Sequence, residues 1–180
     1  MVVTQRRKLG RSGLEVSPLS FGGNVFGWTI DENSSFEILD NFIAAGGNFI
    51  DTEYMSIPSG FWEILVESLR QFLGKWLKQR GHRDQRSEED LSISLRGSSV
   101  KRYLNPRGLR ILKAIDRVAK IYNSTPTQVS LAWLIANPTI TSPIVSATKV
   151  EQLNDIIKAV NLHLDQDAIV LLNQASSSNT

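Results

Sequence analysis

Two short stretches hold the side chains best able to do chemistry. In Ser146-Ala147-Thr148-Lys149-Val150-Glu151-Gln152-Leu153 a hydroxyl-rich, lysine-bearing run opens into a helical pattern. Backbone N–H groups at a helix start are unpaired and the dipole is positive there, so such a run can hold a phosphate. The plainer reading is an ordinary helix with Thr148 and Glu151 as its capping box. In Asn48-Phe49-Ile50-Asp51-Thr52 a carboxylate closes an apolar run, and Tyr54 follows three residues later. A carboxylate and a phenol are groups that general acid–base catalysis uses. Taken alone, Asp51 reads as a helix cap or a lysine partner, and Tyr54 as a loop aromatic. The two histidines, His82 and His163, lack strand context and read as surface residues, and Lys75 and Lys78 read as solvated. No Gly-x-Gly-x-x-Gly, P-loop or metal-ligand spacing is present.

These residues need elements to position them. Residues 6–16 alternate and break at Arg11-Ser12-Gly13, the pattern of a hairpin. Val16 to Phe21 reads as a strand stopped by Gly22-Gly23. Ser34 and Glu37 form a capping box, followed by a stripe of Phe36, Leu39, Phe42 and Ile43, and Gly46-Gly47 ends that helix. Asn48 to Asp51 is a second strand. Residues 61–80 have helical spacing, and 84–99 read as a loop. Pro106 opens a helix with a stripe of Leu109, Leu112, Ile115, Val118 and Ile121 or Tyr122. Thr125-Pro126 opens another, which must stop near Asn137-Pro138. Ser142 to Ala147 is the third strand, Thr148 starts a helix through Val160, and Asp165 starts the last one. This β-α-β-α opening is the grammar of a parallel sheet with helical crossovers.

The chain has 180 residues, 41% hydrophobic and 21% charged, which fits one globular domain with a core. A complete eightfold β/α barrel needs roughly 250 residues. The net charge of +2, with Lys and Arg dispersed, gives little support to a nucleic-acid or membrane-surface partner. The absence of cysteine removes disulfides and thiolate metal sites and suits a cytoplasmic protein. Neither a membrane span nor a secretory signal is expected.

The runs Arg7-Lys8-Leu9-Gly10-Arg11-Ser12-Gly13-Leu14-Glu15-Val16-Ser17-Pro18-Leu19 and Gly46-Gly47-Asn48-Phe49-Ile50-Asp51-Thr52 resemble the aldo-keto reductases. So do Thr125-Pro126-Thr127-Gln128-Val129-Ser130-Leu131-Ala132-Trp133 and the stretch from Ser146 to Leu153. The resemblance covers residues 5–52, 73–84 and 96–175, while 53–72 diverge. These reductases are NADPH-dependent and act on carbonyls, on a (β/α)8 barrel. The resemblance therefore implies an α/β fold, an incomplete (β/α)8 TIM barrel of the aldo-keto reductase type. About three parallel strands, the first, second and eighth, would remain with surrounding helices and an N-terminal hairpin, as a single partial-barrel domain over 1–180.

In the family a tyrosine protonates the alkoxide formed by hydride transfer, a lysine and an aspartate tune it, and a histidine orients the carbonyl. Asp51 matches the aspartate. The tyrosine position, five residues on, holds Ser56, and Tyr54 stands in a different place. No strands that would carry the lysine and histidine follow Arg83-Asp84. The resemblance thus implies an NADPH-dependent reductase of small carbonyl substrates that is impaired or inactive. For the cofactor it implies Gly22, Gly23 and Asn24 beside the nicotinamide ribose, and Ser146, Ala147, Thr148 and Gln152 at the adenosine phosphates. Gln152 and Asp155 would lie near the adenine. The alternative is a non-enzymatic binding or oligomerising module, pairing through the exposed half-barrel face with another copy or with a full-length relative.

Overall fold

Glycine decides the first turn of the chain. Gly10 and Gly13 take positive φ angles of 55° and 78°, which side-chain-bearing residues rarely adopt. The chain folds back there, pairing β1 (Arg7–Lys8) antiparallel with β2 (Glu15–Val16). The computed structural model describes residues 3–26, 28–51, 73–74 and 105–177. Val16 belongs to the expected hairpin, so the next strand, β3 (Ser20–Gly22), begins later than the apolar run suggested. A 3-10 turn at Gly23–Val25 leads to β4 (Trp28–Ile30).

Helix α1 (Glu32–Ala44) starts earlier than the Ser34–Glu37 box predicted. Asp31 is its N-cap, and its Oδ1 accepts from the Ser34 N–H at 2.8 Å. The buried face also differs from the expected stripe. Ser35, Ile38 and Phe42 lie inward with Leu39 partly covered, whereas Phe36 and Ile43, expected in the stripe, are exposed. Gly46 ends the helix with φ 88°; its N–H donates to Ile43 O and that of Gly47 to Phe42 O. A Cβ on Gly46 would also lie 2.6 Å from Val3 O. Gly46→Ala is therefore expected to destabilise the fold by about 2 kcal/mol or more, read as a lower urea midpoint.

Strand β5 (Ile50–Asp51) follows, then β6 (Leu73–Gly74) and, late in the chain, β7 (Ile144–Val145). The sheet order β5-β3-β7 is parallel throughout, with Phe21 opposite both Ile50 and Val145. It is the three-stranded contiguous sheet the sequence suggested. A second parallel pair, β4 with β6, was not anticipated, and Leu73–Gly74 is strand where helical spacing was read over 61–80. The remainder of that helix, the loop at 84–99, and Tyr54, Ser56, Lys75, Lys78 and His82 lie outside the described residues.

Four helices follow residue 104: α2 (Pro106–Ile121), α3 (Pro126–Ala136), α4 (Val150–Lys158) and α5 (Gln166–Ser176). Asn105, Thr125 and Asp165 cap α2, α3 and α5 through side-chain oxygens. The cap bond from Ala168 N–H holds the Asp165 carboxyl below its ordinary value, with Tyr122 adding to this. Helix α2 ends on Asn123 at φ 47°. Its inward face is Ala114, Ile115, Val118, Ala119 and, partly, Tyr122; Leu109 and Ile121 are exposed. The Tyr122 alternative for that stripe holds.

Two apolar clusters result. In the first, Phe21, Val145 and Ala147 from the sheet pack against Ile38 and Phe42 of α1 and Leu153, Ile156 and Ile157 of α4. In the second, α2 and α5 close over Val129 of α3. Helix α3 joins them, since its Ile135 lies in the first cluster. Arg7 ties the hairpin to this half: Nη2 donates to Ile135 O at 2.7 Å and Nη1 to Ile140 O at 3.0 Å. Those carbonyls stand at and beyond the C-terminal end of α3, where no helical partner remains.

Candidate functional site

Parallel pairing brings the C-terminal ends of β5, β3 and β7 to one edge of the sheet, the edge at which parallel α/β folds build their sites. Gly22 is in register with Asp51 on one side, and on the other Ser146 Oγ donates to Gly22 O at 3.1 Å. Asp51, Gly22, Gly23 and Ser146 are thereby gathered at one end. Glycine gives room here: a Cβ on Gly22 would lie 2.9 Å from both Ile144 Cγ2 and Ser146 Oγ, so a side chain there would displace one of them. Asn24 lies in the 3-10 turn just beyond.

Beside this edge the N-terminal turns of α1 and α4 face each other across a cleft of about 240 Å3. Its walls include Asp31, Ser34 and Glu37 from one side and Thr148, Lys149 and Glu151 from the other. Helix α4 has no side-chain cap; Lys149 occupies its N-cap position. The capping box expected of Thr148 and Glu151 does not form. Instead Gln152 turns back, and its Oε1 accepts from Thr148 N–H at 3.1 Å and Thr148 Oγ1 at 2.9 Å. The reciprocal bond falls one residue later because the helix starts at Val150.

An uncapped amide turn beside a lysine fits a phosphate group. The three carboxylates of Asp31, Glu37 and Glu151 around the same cleft oppose it, so any anion there would depend on local amide geometry rather than on the field of the cleft. The side chain expected near the adenine, Asp155, bonds to α3 and its cap. Asp155 Oδ2 accepts from Thr125 Oγ1 at 3.0 Å, and its Oδ1 accepts from Gln128 Nε2 at 2.6 Å. Gln128 is 8% exposed, and leaving its buried amide without that acceptor would cost roughly 1–3 kcal/mol. Each oxygen of the carboxylate keeps acceptor capacity beyond its one bond. This clasp between α3 and α4, and the Arg7 bonds, escaped the sequence reading; only tertiary contact reveals them. His163 is exposed, as expected.

The profile of the Aldo/keto reductase family matches residues 71–177. The chain belongs to the aldo/keto reductase family. The matched span contains α2 to α5, β7 and the α4 turn. Among curated relatives, the chain is 39% identical over 93 residues to an aryl-alcohol dehydrogenase [NADP(+)] of Phanerodontia chrysosporium, covering 43% of this chain and 22% of that protein. It is 38% identical over 81 residues to norsolorinic acid reductase of Emericella nidulans, covering 41% and 19%. A shorter match, 59% over 46 residues, is to an uncharacterized 11.2 kDa protein of Pseudescherichia vulneris, covering 26% and 45%. The chain thus spans less than half the length of each of these relatives. Among the described residues no helix is long and apolar enough to cross a membrane, and no group of side chains could hold a metal ion.

Proposed function

We propose that this aldo/keto reductase chain is an incomplete barrel, keeping the phosphate-holding part of an NADPH surface and lacking carbonyl reduction. The observation that supports the cofactor half is the convergence of Asp51, Gly22 and Ser146 at one sheet edge, beside the uncapped α4 turn. NADPH, when bound, supplies hydride. Of the chain's own residues, the amides from Val150 to Gln152 would hold phosphate with Lys149 as counter-charge, and the Ser146 and Thr148 hydroxyls would join them by leaving Gly22 O and Gln152 Oε1. Gly22, Gly23 and Asn24 border the ribose, and Asp51 is the one family acid–base group in place. Tyr54, the other candidate catalytic residue, stands two residues from the family's tyrosine position, and Ser56 cannot act for that phenol because its hydroxyl is far less acidic. The small carbonyl substrates of the family would find no proton donor. A cytoplasmic address goes with this reading, in keeping with the lack of cysteine.

Titration of the purified chain with NADPH, followed by cofactor fluorescence, tests the reading. Saturable binding that weakens at least severalfold in Lys149→Glu is expected; fluorescence that never saturates would end it.

One observation favours a second reading, self-association. Ile144 on β7 is 59% exposed and, in register with Ser20, lies on the sheet face opposite Phe21. Parallel strands are ordinarily covered on both faces. Ser20, central on the same face, is 0% exposed, so a second copy would pack at the β7 margin and bury Ile144, worth about 1.5–3 kcal/mol for each side chain. Ile144→Ser is expected to weaken dimerisation at least about tenfold, measured by sedimentation velocity over a concentration series. A chain that stays monomeric throughout that series removes this reading.

A further inference from the structure

We infer that the outer faces of α1 and α2 bind one another between copies of this chain, so that a second copy docks head to tail. On α1, Phe36, Asp40 and Ile43 recur at four- and three-residue spacing and share one stripe, turned away from the buried Ile38 and Phe42. The stripe is apolar at both ends with a carboxylate between, and the exposed Glu37 stands beside Asp40. Helix α1 contains no lysine or arginine. On α2, Leu109, Lys113, Arg117 and Ile121 follow one another at four-residue spacing and form one ridge. It too is apolar at both ends, but cationic between. Lys120 flanks it, and the one acid of the helix, Asp116, lies off the ridge. Lys113, Arg117 and Lys120 are all exposed. The two faces thus carry the same pattern with the charge reversed.

A helix face that is only solvated tends to intersperse the two signs, as neither of these does. Exposure of the four apolar residues runs from 43% at Leu109 to 67% at Ile121, so the faces do not cover one another within the chain. Their helices pack on different clusters. Opposite charges would set the register of the contact, and burial of the apolar ends would supply affinity. Because the two surfaces differ, the contact is heterologous, and each added copy leaves one α1 face and one α2 face unused. The inference does not rest on the cofactor surface, and it uses faces other than the β7 margin.

Sedimentation velocity over a concentration series tests it, in the full chain carrying Ile144→Ser so that the β7 margin does not contribute. Association should weaken about tenfold or more in Glu37→Gln/Asp40→Asn, and likewise in Lys113→Gln/Arg117→Gln. It should also weaken as salt is raised from about 0.05 to about 0.5 M. Mixing the two neutralised variants should restore a one-to-one pair that does not grow, since each keeps the face the other has lost. A monomer throughout the series overturns the inference, as does association indifferent to both variants or a mixture in which they stay apart. In the monomeric case, sedimentation with vesicles containing phosphatidylserine would give the α2 face to an anionic membrane instead.

Discussion

Incubated with NADPH and a panel of aldehydes and ketones, the chain is expected to oxidise cofactor no faster than a protein-free control. Carbonyl reduction requires a proton for the oxygen that gains negative charge as hydride arrives. Asp51 stands at the end of β5, but the position five residues on is serine, and Tyr54 is displaced from it by two residues along the chain. Losing a positioned general acid alone costs about a hundredfold to ten-thousandfold in rate. On the proposed reading the lysine that would lower the phenol's pKa and the histidine that would orient the carbonyl are missing as well, which would compound the loss. The check is loss of NADPH absorbance in the presence of each carbonyl. An aldehyde-dependent rate abolished by Tyr54→Phe would show that the loop has rebuilt the site and would refute inactivity.

The largest stability effect is expected for Phe42→Ala, a loss of about 3–5 kcal/mol. Phe42 is 2% exposed, its ring centroid lies 5.5 Å from that of Phe21, and the Gly47 backbone approaches it so closely that a Cβ there would meet the ring. Truncation would open a cavity between α1 and the sheet that neither the helix nor the strand can collapse into, since Phe21 is itself fixed between β5 and β7 and stacked on Phe26. Domains of this kind have about 5–15 kcal/mol of total stability, so the variant should be largely unfolded at a urea concentration the parent chain tolerates. Retention of the parent's urea midpoint would mean that Phe42 does not bridge α1 and the sheet. The exposed Phe36 on the same helix offers an internal control, with little expected change on truncation.

Much of the fold was legible in the chain because it rests on local rules. Pro126 at the first helical position, the Thr125 and Asp165 caps, Gly46 at the end of α1 and the glycine turn of the hairpin each satisfy a backbone need within a few residues. The shifts have equally local causes. Asp31 outcompetes Ser34 as a cap because its carboxylate reaches the third N–H of a helix that begins at Glu32. The face turned to the core is centred on Ser35, Ile38 and Phe42, which leaves Phe36 and Ile43 on the outside. The pairing of β4 with β6 was not legible, since two residues of strand leave no periodicity to read.

By itself, then, the sequence determined the family motifs, the short parallel sheet of β5, β3 and β7, and the placing of Asp51 and Ser146 at strand ends. These depend on residue type and near-neighbour spacing. Tertiary structure alone decided what the polar side chains do once there. Gln152 bends back to Thr148, Asp155 joins α3 to α4, Arg7 closes the end of α3, and Ile144 is left uncovered. A carboxylate or an amide has the same bonding capacity wherever it sits, and only the folded chain settles which partner reaches it first.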